Sequence, residues 1–208
     1  TQYTDSRGII QWQLLGAADV VFLKYYYPGS GSADLEFVGS RESVARMKEL
    51  VLESFEEVSC SVEWVYNADG RSITVQLRGD RQPMTEMYPM LKGEDLTAYY
   101  DRFMKSSASI LLLLGPPGTG KTSFIRGLLQ HTKSNALVSY DEAVLGRDSI
   151  FANFIEGDYN VFVIEDADTL LRSRKDGNGM MHKFLNVGDG LVTTQGKKMI
   201  FSTNLPSV

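Results

Sequence analysis

The chain has 208 residues, of which 43% are hydrophobic and 23% are charged. This globular composition excludes a disordered chain, and a single cysteine excludes a disulfide scaffold. The longest apolar run has five residues, far short of the roughly 20 that span a membrane, and a net charge of −5 counts against a broad nucleic-acid interface. We therefore expect no membrane segment, and we expect a cytoplasmic location because a lone cysteine suits a reducing compartment.

The first part of the chain predicts a small α/β domain in the order strand, strand, helix, strand, strand. The predicted strands are Val20–Tyr27, Leu35–Val38, Cys60–Tyr66 and Ile73–Leu77. A Pro, Gly and Ser turn at residues 28–32 joins the first two strands, and Ser40 is placed to cap the helix. The last two strands alternate in the manner of a hairpin. Cys60 lies in this alternation, so we expect a buried strand residue there.

A change of pattern separates this domain from the rest. Residues 79–92 contain two prolines and three methionines and have poor hydrophobic periodicity. We therefore expect an N-terminal domain at residues 1–80, a linker at 81–92 and a second domain at 93–208. Asp95 is placed to cap a helix, after which strands and helices alternate. Such alternation predicts an α/β domain with a parallel sheet flanked by helices.

A phosphate-binding loop is the most specific motif. The apolar run Ile110–Leu114 is typical of a buried parallel strand, and a helical pattern follows the loop. The loop matches G-x-x-x-x-G-K-[ST] and consists of Gly115, Pro116, Pro117, Gly118, Thr119, Gly120, Lys121 and Thr122. Its glycines let backbone N–H groups approach phosphate oxygens, and the helix N-terminus adds partial positive charge. We expect Lys121 to reach the β- and γ-phosphates, Thr122 to bind Mg²⁺, and Ser123 to complete the nucleotide site.

An acidic strand end provides the second part of a triphosphate site. The buried-strand pattern Val161–Ile164 ends in Glu165 and Asp166. Counted from the last apolar residue, Glu165 takes the metal-binding position and Asp166 the position that polarises the attacking water. Asp168 is expected to turn back toward the following helix. A third apolar strand is followed by Asn204, whose amide could contact the γ-phosphate or the water. The expected catalytic residues are Asp166, Lys121 and Asn204.

These three motifs, in this order, resemble those of the AAA family of ATPases, part of the larger AAA+ group. The matching segments are Gly115–Thr122 for the Walker A motif, Val161–Asp168 for the Walker B strand, Ser202–Asn204 for the sensor-1 strand, and Phe184–Leu191 for a segment between the last two. The resemblance covers roughly residues 87–208. The Glu-Asp order at Glu165 is similar to the branch of mitochondrial respiratory-complex assembly ATPases. The implied fold is α/β: a P-loop NTPase large subdomain without its helical lid, preceded by a small α+β domain.

The resemblance implies ATP and Mg²⁺ as cofactors. It also implies a homo-oligomeric ring, commonly hexameric, that unfolds, remodels or takes apart a macromolecule. The N-terminal domain would then bind a protein substrate or an adaptor. The family's central-pore loop corresponds to residues 144–146, Val-Leu-Gly, which include no aromatic residue. The family's arginine fingers and lid would follow the last residue here, so we expect this chain alone to be a weak ATPase.

Two other functions remain open from the sequence. One is a DNA-handling AAA+ protein of the helicase-loader type, which the acidic net charge disfavours and the basic residues 172–175 weakly favour. The other is a nucleotide-gated assembly module with little turnover. His131 and His182 lack metal-ligand spacing, so no zinc site is expected.

Overall fold

A computed structural model describes residues 2–4, 10–15, 20–27, 32–53, 60–67, 69–77, 82–171, 181–189 and 196–206. The chain divides into two compact units, Thr1–Glu57 and Val58–Val208. The expected turn at residues 28–31 and the basic segment at 172–175 lie outside the described residues.

The first unit contains an antiparallel sheet and one helix. Its strands are β1 (Gln2–Thr4), β2 (Ile10–Leu15), β3 (Val20–Tyr27) and β4 (Ser32–Gly39), and they pair in the order β1-β2-β3-β4. The helix α1 (Arg41–Leu52) begins where the capping pattern predicts, because the Ser40 hydroxyl accepts a hydrogen bond from Ser43 N at 3.2 Å. The sequence patterns predict β3, β4 and α1, whereas β1 and β2 were not predicted.

The second unit is built on a six-stranded sheet. Its strands are β5 (Ser61–Val65), β6 (Ser72–Gln76), β7 (Ile110–Leu114), β8 (Ala136–Ser139), β9 (Val161–Ile164) and β10 (Lys198–Thr203), in the order β6-β5-β8-β9-β10-β7. Every pairing is parallel except that of β5 with β6. Its helices are α2 (Leu96–Lys105), α3 (Lys121–His131), α4 (Glu142–Leu145), α5 (Asp148–Glu156) and α6 (Met181–Asp189). This is the expected α/β fold of a P-loop NTPase.

The structure places the β5–β6 hairpin in the second unit, not in the first as composition suggested. Strand β5 pairs in parallel with β8, with Val62 opposite Ala136 and Trp64 opposite Val138. The hairpin thereby extends the parallel sheet, and the boundary between the units falls at residues 57–58. A hairpin that follows a helix looks the same in sequence whether it pairs backward or forward, so the local pattern could not place this boundary.

The segment expected as a linker is packed against the second unit where it is described. It forms two 3₁₀ helices, Thr85–Met87 and Pro89–Leu91. Tyr88 is only 3% exposed and Leu91 only 9%. Both belong to the buried cluster that includes Phe124 of α3. The poor α-helical periodicity of this segment reflects the three-residue repeat of a 3₁₀ helix.

Two apolar clusters cover the two faces of the sheet. One contains α2, α3 and the 3₁₀ segment, and the other contains α4, α5 and Phe184 of α6. Asp95 caps α2 as expected by accepting from Thr97 N at 2.9 Å. Cys60 is buried as predicted, but it lies directly before β5 and not within the strand. No helix in the described part of the chain is long and apolar enough to span a membrane.

Candidate nucleotide site

The carboxyl ends of β7, β9 and β10 bring the three sequence motifs together. These strands are neighbours and parallel, so the residues that follow them meet at one edge of the sheet. In open α/β sheets this edge is where ligands bind. The loop at residues 115–120, the acids from Glu165 onward, and Asn204 all lie there.

The phosphate-binding loop has the backbone that its glycines permit. Gly118 and Gly120 have φ values of +82° and +85°, in the left-handed region that disfavours residues with a Cβ. Gly120 directly precedes α3, and its carbonyl accepts from Phe124 N at 2.8 Å to begin the helix. A loop of this form leads into a helix N-terminus, an arrangement suited to an anion.

Lys121 lies across the mouth of this loop. Its Nζ donates to Gly115 O at 2.6 Å, to Pro116 O at 3.1 Å and to Asn204 Oδ1 at 3.0 Å. The ammonium group is therefore held between the loop and the end of β10. A single cation bridges two of the three motifs.

Thr122 and Glu165 form the pair expected at the metal position. The Thr122 hydroxyl donates to Glu165 Oε1 at 2.8 Å. A hydroxyl and a carboxylate are hard oxygen donors, and Mg²⁺ binds proteins through one or two carboxylates together with phosphate oxygens and water. The donor set therefore fits Mg²⁺ that arrives with a nucleotide. Within the described ranges, no group of three or more His, Cys, Asp or Glu side chains could hold a metal by itself.

Asp166 has a strained backbone. Its φ is +50°, which is uncommon for a residue other than glycine and tends to occur at functional sites. Its side chain is exposed at the strand end, and Asn204 Nδ2 donates to Asp166 Oδ1 at 3.4 Å. Asn204 thus contacts Lys121 through its oxygen and Asp166 through its nitrogen. The three residues expected to be catalytic form one connected chain.

Asp168 occupies a different place from the one we expected. Its carboxylate accepts hydrogen bonds from the Thr203 hydroxyl, from Asn204 N at 2.7 Å and from Asn204 Nδ2 at 3.5 Å. It therefore binds the end of β10 and does not turn toward the following helix. The hydrogen bond from Thr203, followed by that from Asn204 N, holds the pKa of Asp168 below its usual range. Spacing along one strand gave no indication of this contact, because it depends on the register between β9 and β10.

Two buried tyrosines support the helix that follows the loop. Tyr88 donates its hydroxyl to Gly120 O at 3.1 Å, and Tyr100 donates to Phe124 O at 3.0 Å. Both rings meet Phe124 edge to face. Burial raises the pKa of Tyr88 further above neutral. Neither role was predicted from the sequence, because both contacts join segments that are distant along the chain.

The segment that matches the family's pore loop, residues 144–146, does not expose its apolar side chains to a substrate. Val144 is 3% exposed and Leu145 is fully buried in α4. The neighbouring exposed aromatic residue is Tyr140, which follows β8 and lies 5.6 Å from Trp64 between ring centroids.

Comparisons with known proteins support the same family as the motifs. Residues 111–208 match the sequence model of the ATPase family associated with various cellular activities, AAA. A 26S proteasome regulatory subunit 8 homolog of Schizosaccharomyces pombe is 32% identical over 112 residues, which cover 45% of this chain and 28% of that protein. An AAA-ATPase of Arabidopsis thaliana is 27% identical over 187 residues, which cover 82% of this chain and 41% of that protein.

The chain spans less than half the length of either relative. The match to the family begins within β7 and includes the loop, the acidic strand end and the strand that leads to Asn204. The N-terminal unit lies outside the family match. Residues 111–208, which lie within the second unit, match the AAA family of P-loop ATPases, and the parallel sheet of that unit agrees with this match.

Proposed function

We propose that the second unit binds ATP with Mg²⁺ and hydrolyses it, and that the chain works in a homo-oligomeric ring that remodels a protein partner. The observation that supports hydrolysis is the connected chain Lys121–Asn204–Asp166 beside the pair Thr122–Glu165. This arrangement places three parts at one edge of the sheet: a cation that can bind phosphate, a pair of candidate metal ligands, and a carboxylate that can orient water. Phosphoryl transfer needs these same parts.

Each residue then has a defined task. Lys121 binds the β- and γ-phosphates, while the backbone N–H groups of the loop hold the remaining phosphate oxygens. Thr122 and Glu165 hold Mg²⁺, which neutralises charge that develops on the phosphate oxygens. Asp166 accepts a hydrogen bond from the attacking water and orients it for in-line attack.

Asn204 links the phosphate-binding residue to the water-orienting residue. Because its amide oxygen accepts from Lys121 and its nitrogen donates to Asp166, it fixes the phosphate-binding cation relative to the water-orienting carboxylate. Asp168 holds Asn204 in this orientation through the backbone and side-chain amides. We therefore assign Asn204 to the site itself and Asp168 to its positioning.

The ring and the remodelling task rest on the family. AAA proteins act as rings, and a relative in Schizosaccharomyces pombe is named as a regulatory subunit of the 26S proteasome. The N-terminal unit would bind the protein substrate or an adaptor. A net charge of −5 favours a protein partner over nucleic acid, and the single cysteine agrees with a reducing compartment such as the cytoplasm.

The test measures ATP binding and turnover across a series of protein concentrations for the wild type, Lys121→Ala and Lys105→Ala. Lys105 is an exposed lysine in the last turn of α2 and serves as the matched control. Wild type and Lys105→Ala should bind Mg-ATP, and Lys121→Ala should not. Turnover per chain should rise with concentration if subunits complete one another's sites. Equal binding by all three proteins would contradict the site, and turnover independent of concentration would contradict the ring.

A further inference from the structure

A cavity of about 220 Å³ lies next to the candidate metal pair, under the β5–β6 hairpin. Its apolar lining comes from the hairpin, from α3 and from the central strands, and includes Val62, Val75, Leu77, Ile125, Val138 and Val163. The remaining polar lining consists of Thr122, Arg126 and Glu165. It opens to solvent beside Val75, which is 48% exposed.

The cavity exists because the hairpin widens the sheet beyond the reach of α3. Val62 lies opposite Val75 in the β5–β6 ladder and opposite Ala136 in the β5–β8 ladder, so these side chains share one face of the sheet. Helix α3 packs on that face, with Ile125 and Leu129 buried. In parallel sheets both faces are normally covered, yet Ile73 and Val75 of the edge strand stay about half exposed.

Arg126 gives this cavity its charge preference. It is one turn beyond Thr122 in α3, so the two side chains share a helix face. Its side chain is half-buried against apolar residues, and within the part of the chain that the structure describes its guanidinium makes no hydrogen bond or ion pair. A partly desolvated cation without an acceptor is unfavourable, and a carboxylate is the acceptor that best matches a guanidinium fork.

We propose that this cavity binds a small amphipathic carboxylate, with its apolar part among the valines and its carboxylate on Arg126. The volume sets the size of the apolar part. An apolar cavity of about 150 Å³ accommodates benzene, so 220 Å³ accommodates an apolar chain of about six to eight carbons. The lining of valine, leucine and isoleucine side chains suits an alkyl chain, and the open side near Val75 provides entry.

Occupation of the cavity would be linked to the nucleotide site. Thr122 and Glu165 line the cavity and also form the pair proposed to hold Mg²⁺. A bound carboxylate beside Arg126 would change the field at Glu165, and any effect on Mg-ATP affinity must be matched by an equal effect on the carboxylate's affinity. This linkage rests on the proposed ATPase function, whereas the binding itself does not.

The test uses octanoate as the probe and the four cavity valines as reporters. Methyl signals of Val62, Val75, Val138 and Val163 should shift together in carbon–proton NMR spectra as octanoate is added to the full chain without nucleotide. Octanol, which has the same chain and no charge, should bind about tenfold more weakly, because it lacks the charge-assisted hydrogen bond.

Variants separate the two parts of the site. Arg126→Gln should weaken octanoate about tenfold and leave octanol unchanged. Val75→Trp should fill the cavity and abolish binding of both, while Ile73→Trp is the control, since Ile73 lies on the same strand and face but does not line the cavity. Neither position is in the protein core, since both are 48% exposed.

Several results would overturn the proposal. Absence of valine shifts up to about 5 mM octanoate, beyond the weak end of specific binding, would exclude the ligand class. Equal octanoate binding by wild type and Arg126→Gln would exclude the charge recognition. If octanoate fails and Val75→Trp instead changes the sedimentation mass of the chain, the cavity receives a side chain from a second copy.

Discussion

At the scale of single residues, the site depends on how Asn204 is held. Its orientation comes from Asp168, whose carboxylate accepts from Asn204 N at 2.7 Å. Asp166 lies two residues before Asp168 and accepts a hydrogen bond from the side-chain Nδ2 of Asn204 at 3.4 Å. We therefore propose different tasks for these two acids: Asp166 orients the attacking water, and Asp168 holds Asn204.

Asp166→Asn should abolish most turnover and leave ATP binding intact. Asparagine has the same shape and tolerates the left-handed backbone observed at φ +50°, so the fold should be unchanged. The amide cannot take up a proton as a carboxylate does, and loss of a general base lowers the rate by about 10²–10⁴. Steady-state phosphate release measures this effect, with Asp69→Asn in the exposed hairpin turn as the control. Unchanged turnover would remove Asp166 from the reaction.

Asp168 should make stability depend on acid pH. Because the hydrogen bonds from Thr203 and Asn204 lower the pKa of Asp168 in the folded state, its contribution is fully present above the unfolded pKa, about 3.9. That contribution is lost as the pH falls through the folded-state pKa. Urea unfolding at several pH values should show a steeper acid loss for the wild type than for Asp168→Asn. Parallel pH profiles for the two proteins would rule out this role.

At the scale of elements, helix α3 is fixed by contacts that come from earlier in the chain. Tyr88, Tyr100 and Pro83 surround its first two turns. Since α3 carries Lys121 and Thr122 in its first turn, this packing determines where these two proposed nucleotide-binding residues lie. The segment that composition suggests is a linker is instead a support for the site.

Tyr88→Phe should weaken nucleotide binding more than it weakens the fold. The substitution keeps the buried ring against Phe124 and removes only the hydrogen bond to Gly120 O, which is worth about 0.5–1.5 kcal/mol. Gly120 still accepts from Phe124 N, so α3 should persist while the loop gains freedom. The measurements are the dissociation constant of Mg-ATP and the free energy of unfolding. Tyr99→Phe is the control, because its half-buried ring also meets Phe124. Equal Mg-ATP affinities for both variants would contradict a positioning role.

Gly127→Ala tests the same support from the helix side. A Cβ at Gly127 would lie 2.4 Å from Pro83 Cγ and 2.7 Å from the Tyr100 hydroxyl. Overpacking typically costs about 1–3 kcal/mol, whereas the gain in helix propensity is only about 1 kcal/mol, so the variant should be less stable. Urea unfolding gives the difference, and Ser123→Ala on the exposed side of α3 is the control. A more stable Gly127→Ala protein would show that Pro83 does not pack there.

At the scale of the whole molecule, the sequence predicted what is local and missed what depends on pairing between distant segments. The loop at residues 115–122, the strand that leads to Glu165 and the cap at Asp95 follow from short patterns, and the structure places each as expected. The contact of Asp168 with β10 depends on strand register. The partner of the hairpin depends on which sheet edge is open, and no local pattern encodes either.

The β5–β6 hairpin determines where the folding unit begins. A chain that starts at residue 58 keeps β5 against β8, with Val62 opposite Ala136 and Trp64 opposite Val138. A chain that starts at residue 81 would leave β8 as an unpaired hydrophobic edge, and such edges favour aggregation. We therefore expect residues 58–208 to unfold cooperatively on heating and residues 81–208 to aggregate or lose cooperativity. Circular dichroism and sedimentation measure both. If both chains unfolded at the same temperature and with the same cooperativity, the hairpin would not be needed for folding of the second unit. If only the longer chain folds, the hairpin is part of the ATPase core, and a change at the hairpin can reach the nucleotide site through α3.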